Sequence, residues 1–545
     1  PGPSILPLTN RKQLDQLVVK SPAGTTVVRV AFYEGSVGPM PPVPEIEGTG
    51  GVIPPPPPGL SAVYTYNTVH VMDGGDDATG TRNRLDLPFA TIAAASAVLQ
   101  PGDTMVIWPG SYVGQLAVGN VTYHLLGSVV TNPIGSTVEC GGDIMKVTGF
   151  GMVRGGGASP CVIVDGGGYL EIQAQVKGDQ FGLAVLGGST AIVRGDIEAK
   201  VEAVAGEAGC VMRIYGAISG TDGVGAEFGG ADAMVWGDIY GKAKGLSSSG
   251  VCTVYGNVLS ANSEAASCAG GKQLVYGNVT ADNGQCASVS AGVQMICGDV
   301  TSTNGTAALV EGSGATQLIF GNVTATNGVA ASTLTAAADS SQTIHGNVYS
   351  DVTYAARAGV GPQLIYGDVE SGDTQAAICT GYMTIYGNVT GRNSGAAIEC
   401  NFGLLTVVGN VQGLDSFASG VNASAYGGTV KVVVHGNVTS NTSAQTVKSL
   451  AGAVVEVHGN VTNTGTGHGL VVEASGYPDT VGTVTGLVTA AGGVAVYCNG
   501  GITTLGRGAT TQAAAAAAVQ CFRNDSVLIL EGNAYLRSTG AAPSI

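Results

Sequence analysis

The chain is poor in charge. Only 11% of its 545 residues are Asp, Glu, Lys or Arg, and just 22 of these are basic. With so few cations under a net charge of −16, little is left to hold a phosphate backbone, which argues against nucleic acid as a partner. Long apolar runs are also missing. None reaches the ~18 residues of a membrane-spanning helix, so no membrane insertion is expected. Paired cysteine motifs are absent too. Eleven Cys lie scattered singly from Cys140 to Cys521, with no CxxC pair. That distribution excludes a zinc knuckle and reads as small buried thiols rather than a disulfide framework. Strict Gly-X-Y periodicity is lacking, which rules out collagen. The opening residues PGPSILPLTNRKQ show no basic-then-apolar leader. The expectation is therefore synthesis in the cytoplasm without a signal peptide, and no cofactor.

Glycine is what the chain has in excess: 88 residues, roughly twice the usual share. Much of it is periodic. The stretch VYGNV occurs at residues 254–258 and 275–279, and ICGDV follows at 296–300. The repeated Gly falls at 195, 216, 237, 256, 277, 298, 321, 346, 367, 387, 409, 436 and 459. Five of those twelve spacings are 21 residues. Val or Ile stands two residues before it and two after, as at Val254, Val258, Val275, Val279, Ile296, Val300 and Ile385. Such β-branched sites mark inward positions on strands. The intervening Gly-Asn or Gly-Asp reads as a corner. Gly would supply a backbone conformation closed to other residues, and Asn or Asp would tolerate left-handed geometry and bond its own backbone. Small pairs recur further along, at Ala265-Ala266, Ala307-Ala308, Ala355-Ala356, Ala376-Ala377 and Ala396-Ala397, as a third strand where room is short. One such unit cannot bury its own apolar side, whereas stacked units can. The reading is all-β: a right-handed single-stranded parallel β-helix of about 21 residues per coil, over about residues 61–510.

The expected organisation has five parts. Residues 1–38 form a small attachment segment, with helix-like NRKQLDQLVV and strand-like TTVVRVAFYEG. Residues 39–60 are a linker stiffened by Pro54–Pro58. Residues 61–110 are the entry and capping helix, 111–510 the β-helix, and 511–545 the last coils and cap. At the entry, residues 74–112 read GGDDATGTRNRLDLPFATIAAASAVLQPGDTMVIWPGSY. The run from Phe89 to Leu99 is helix-compatible, and Pro101-Gly102 stops it. This stretch resembles the start of right-handed pectate-lyase-like β-helix proteins, in which a short helix caps the first coil. A small docking piece, a proline spacer and a long β-helix together resemble bacteriophage tailspike and tail-fibre proteins. That resemblance implies a virion location, a homo-oligomer with a trimer favoured, other tail proteins bound through residues 1–38, and a host surface glycan or protein as receptor. It supplies no active-site residues.

Candidate sites follow from the repeat. The residue before each Gly alternates outward and is often a ring: Tyr215, Trp236, Tyr255, Tyr276, Phe320, His345, Tyr366, Tyr386, His435, His458, with Cys297 and Val408 between them. At ~4.8 Å per coil these would form a ladder. Tyr215, Trp236, Tyr255, Tyr276, Tyr366 and Tyr386 are candidate sugar contacts; the alternative is that stacking merely stiffens the rod or is covered by another chain. The densest carboxylate group, Asp368 with Glu370 and Asp373, is the candidate for glycoside hydrolysis, followed by Asp196 and Glu198. Isolated Arg357 and Arg392 are the bases a lyase would need. Asp73, Asp76 and Asp77 are candidate Ca²⁺ ligands without EF-hand spacing. Asn278, Asn322, Asn388, Asn437 and Asn460 begin NVT sequons that corner and core requirements already explain. Three functions remain open on this evidence: a virion rod for structure and host recognition, a polysaccharide depolymerase, and a bacterial surface adhesin or lattice protein.

Overall fold

The computed structural model describes residues 17–21, 24–28, 66–334, 339–393, 396–414, 419–425 and 428–538. The chain divides into two units, residues 1–60 and 61–545. In the first, strands β1 (Leu17–Ser21) and β2 (Gly24–Val28) pair antiparallel. The end of the helix-like run is thus strand: Leu17, Val18 and Val19 are β-branched or apolar and find a partner seven to eleven residues on. The rest of the attachment segment and the proline linker lie outside the described residues.

The second unit is a parallel β-solenoid of about 19 turns at ~22 residues per turn. It opens with β3 (Thr68–Val71), a short helix α1 (Ile92–Ser96) and β4 (Thr104–Ile107). The helix is shorter than the helix-compatible run. Thr91 caps it by accepting from the Ala94 amide at 3.2 Å, and Ile92 and Ala95 are buried over the first coil. At the other end, strands continue through Tyr535–Ser538, so further coils extend past residue 510.

One coil shows the plan. Strand Thr316–Ile319 runs to the Gly321-Asn322 corner, Val323–Ala325 follows, and Ala331–Thr333 completes the turn. Each pairs parallel with its equivalent one coil on, placing Ile319 beside Ile344, Val323 beside Val348 and Ala331 beside Ala356. All six are buried. The axis is therefore lined by aliphatic columns, with alanine where the third strand closes the coil. Val254, Val279, Ile296, Val300 and Ile385 are all buried as expected.

One column is polar. Gln273, Gln294, Gln317, Gln342 and Gln363 are buried on consecutive coils, on the same face as the aliphatics. Each Nε2 donates to the Oε1 of the preceding glutamine at 2.6–2.7 Å, and Gln273 donates to Ser248 Oγ at 2.9 Å. A buried amide is tolerated when its donors and acceptors are matched, and this row matches them coil to coil until its last member, where the Gln363 oxygen is left over. Gln317→Leu removes both roles at once. It strands the Gln294 oxygen and takes the side-chain acceptor from Gln342, at a cost of about 2–3 kcal/mol. Thermal unfolding should fall by several degrees, and an unchanged midpoint would show that the row contributes nothing.

Candidate functional site

The corners differ from expectation in both residues. None of the corner glycines, and no corner Asn or Asp, has positive φ. Glycine is needed for closeness instead. From Gly216 to Gly459, a Cβ on each corner glycine would sit 2.2–2.5 Å from the carbonyl oxygen of the corner glycine one coil earlier. The Asn or Asp side chain likewise does not turn back on its own backbone. Its Oδ1 accepts the backbone N–H of the corner residue on the next coil. The row runs unbroken from Asp238 through Asn257, Asn278, Asp299, Asn322, Asn347, Asp368, Asn388, Asn410, Asn437 and Asn460 to Leu487, at 2.6–3.0 Å. Only the acceptor oxygen is required, so Asp substitutes for Asn.

This row fixes what the carboxylates do. Asp368 Oδ1 takes the Asn388 amide at 2.7 Å and its Nδ2 at 3.1 Å. Glu370 Oε1 takes Arg392 Nε at 3.1 Å and Nη2 at 2.9 Å. Asp373 Oδ1 accepts from Asn393 Nδ2 at 2.9 Å. Asp368 and Glu370 do border one hollow of about 350 Å³, with Asn388, Thr390, Asn410 and Gln412. They enter it already engaged, one in the corner row and one by an arginine fork. Asp196 accepts from the Ala217 amide, and Glu198 pairs with Lys177 at 3.1 Å. Arg357 is exposed.

The entry loop behaves similarly. Asp76 accepts from the Ala78 amide and Thr79 Oγ1, each at 2.9 Å. Asp77 accepts from the amides of Ala90 and Thr91 and from Thr91 Oγ1 at 2.7 Å, and the Thr91 hydroxyl holds its carboxyl below the usual range. Asp73 is exposed. Asp77 thus fastens the loop to the helix start and Asp76 ties the loop to itself, and no group of three or more His, Cys, Asp or Glu suited to a metal occurs among the described residues.

The aromatic ladder is present and exposed. Tyr215, Trp236, Tyr255 and Tyr276 stack with centroids 4.2–5.5 Å apart. Phe320, His345, Tyr366 and Tyr386 stack at 4.8–5.0 Å, and His435 on His458 at 4.9 Å. Interior rings thus spend both faces on one another, leaving edges and phenol hydroxyls to solvent. Arg194 covers the free face of Tyr215, 4.9 Å from its centroid. A sugar cannot lie flat on an interior ring. Among the described residues, ring faces are left unstacked where the ladder breaks, at Cys297 and Val408, and at its end on His458, where Thr485 holds the next rung.

One carboxyl escapes the repeat motif altogether. Glu202 is half-buried beside an apolar hollow of about 240 Å³ lined by Pro160, Phe181, Leu183, Ala184 and Ala205. Burial pushes its carboxyl up, and Glu227 on the next coil adds to the rise. Nothing in the sequence marks it: it lies on the third strand, away from the glycine corner. Burial likewise pushes up the thiols of Cys161 and Cys498, to about 12. No family model, curated protein or solved structure matches the chain.

Proposed function

We propose that the chain is a structural and host-recognition rod of a phage particle, a tail fibre or tailspike. In this reading residues 1–38 join other virion proteins, Pro54–Pro58 space them from the rod, and the solenoid projects as a right-handed coil in a homotrimer. One observation carries the reading: coil after coil is committed to continuous axial rows, at the Gly-Asn corner, in the glutamine column and along the ring ladder. Such rows stiffen a spacer, and the corner carboxylate Asp368 is absorbed into one of them. The test is deletion of residues 1–38 with particles assembled in the infected host. The truncated chain should fold, with unchanged circular dichroism, and be missing from purified particles. Its normal incorporation would reject the attachment role.

A second reading, a polysaccharide depolymerase, draws on a different observation. Glu202 has the raised carboxyl of a general acid, with Glu227 as a second carboxylate one coil away. Release of reducing ends from host surface polysaccharide, lost in Glu202→Gln, would replace the first reading with this one. Under the first, the wild-type protein releases none.

A further inference from the structure

Five of the eleven cysteines stand on one inward column of the third strand. From Cys268 the column reaches Cys379, Cys400, Cys498 and Cys521 by one in-register pairing per coil. Twice it sets one cysteine directly on the next. Cys379 pairs with Cys400, and Cys498 with Cys521. In each pair the two thiols meet.

The surroundings of the two pairs differ. Cys379 and Cys400 are both fully buried, and their strands are also paired outward, to Ala356–Ala358 and to Val421–Ser424. Cys498 is buried as well, with its sulfur 2.9 Å from the Thr503 hydroxyl. Cys521 is exposed. Its strand, Val519–Cys521, pairs only with Val496–Asn499 among the described residues, and residues 520–525 are all exposed.

That difference decides which pair can bond. Register partners on parallel strands have Cα atoms about 4.8 Å apart, within the ~4.4–6.8 Å of cystines. Their Cβ atoms start at a similar spacing and must close to about 3.8 Å, so one strand has to move by about 1 Å. A strand clamped between two coils resists the move. The strand of Cys521, held on one side and followed by exposed chain, can make it. Access favours the same pair. A dissolved oxidant meets Cys521 directly, and meets Cys379 or Cys400 only if the coils part.

We propose that Cys498 and Cys521 form a cross-linking site, closed to a disulfide by exchange with a small-molecule disulfide. The Cys521 thiolate attacks one sulfur of oxidised glutathione, giving a mixed disulfide and releasing one glutathione, which takes up the Cys521 proton. The Cys498 sulfur then attacks the Cys521 sulfur, and the second glutathione leaves with the Cys498 proton. Two protein thiols are oxidised, and one oxidised glutathione becomes two reduced ones. Each coil is held by its neighbours, so the bond fastens a strand that has one neighbour in its row. It forms on any rod in oxidising surroundings, whether or not the chain serves a phage.

The full-length protein, purified with reductant and then freed of it, is incubated with oxidised glutathione. Remaining thiols are alkylated in denaturant, and peptides are mapped by mass spectrometry without reduction. A peptide linking Cys498 to Cys521 should appear, with nine of the eleven thiols alkylated and Cys379 and Cys400 among them. Amide hydrogen exchange over residues 519–521 should slow severalfold against the reduced protein. Cys498→Ser should leave glutathione stranded on Cys521, and Cys521→Ser should leave every remaining thiol free. The wild-type map decides the linkage even if a variant fails to fold. Glutathione retained on wild-type Cys521 with Cys498 free would overturn the site. So would Cys521 joined to Cys521 of a second chain, Cys379 joined to Cys400 as readily, or no reaction at Cys521. Linkage with unchanged exchange would overturn its fastening role.

Discussion

Gly321→Val should prevent the central coils from closing. The new Cβ would lie 2.3 Å from the carbonyl oxygen of Gly298, 2.4 Å from its carbon and 2.7 Å from the Asp299 amide. All three are backbone atoms, so no side chain can swing aside. The strand pairs on either side of the corner, Ile296 with Ile319 and Val300 with Val323, hold the two coils at their spacing. Relief requires lifting one coil off the next, which also breaks the Asn322 amide's bond to Asp299 at 2.7 Å. The cost is about 3 kcal/mol or more. Even Gly321→Ala should show most of it, because the clash begins at Cβ. Limited proteolysis should cut the variant near residue 321 while leaving distant coils protected, as expected of an array stabilised by nearest neighbours. A variant as resistant as the wild type would show that closeness is not why glycine is there.

Val279→Asp is expected to do comparable harm by a different route. Val279 is buried between Val258 and Val300 on adjacent coils. A carboxylate there meets only aliphatic neighbours in its column, and burying it unpaired costs about 4 kcal/mol or more. Acid should partly rescue the variant. The burial raises the carboxyl's folded pKa above its unfolded value, so the penalty is smallest below the unfolded pKa and grows as pH rises through the folded one. Val279→Thr, nearly isosteric and neutral, should lose much less. Equal melting of wild type and Val279→Asp at pH 7 would contradict the inward placement.

The period of the chain was readable because the constraint behind it is strict. Val254, Val279 and Ile385 must face the axis, and a one-residue slip would turn each outward. The alanine pairs were readable for the same reason. The role of the corner was not, because Gly-Asn serves many geometries. Which of closeness and left-handed backbone requires the glycine is decided by the neighbouring coil, and that lies some twenty residues away in sequence. The glutamine column was not read from the sequence, although the signal for it is there. Gln273, Gln294 and Gln317 each stand two residues before a core aliphatic, so strand alternation already set them inward. Leu17–Val19 fell in a run read as helix-like because a short apolar run has no period of its own, and the partner strand Gly24–Val28 decided the matter. The candidate carboxylates were located correctly in the chain, but their engagement by Asn388, Arg392 and Asn393 depends on contacts between coils.

The corner row also bears on how the rod carries load. In a solenoid the hydrogen bonds between coils run along the long axis, so a pull on the two ends stretches every bond lengthwise. Three strand rows and the row of Asn and Asp oxygens share that tension at each junction, and none can fail before its neighbours take up the strain. Peeling from one end is different, since it opens a single coil at a time against a fraction of those bonds. The solenoid should thus resist traction along its length and yield to unwinding at its tip. A force applied to the solenoid through both ends would meet its strongest direction.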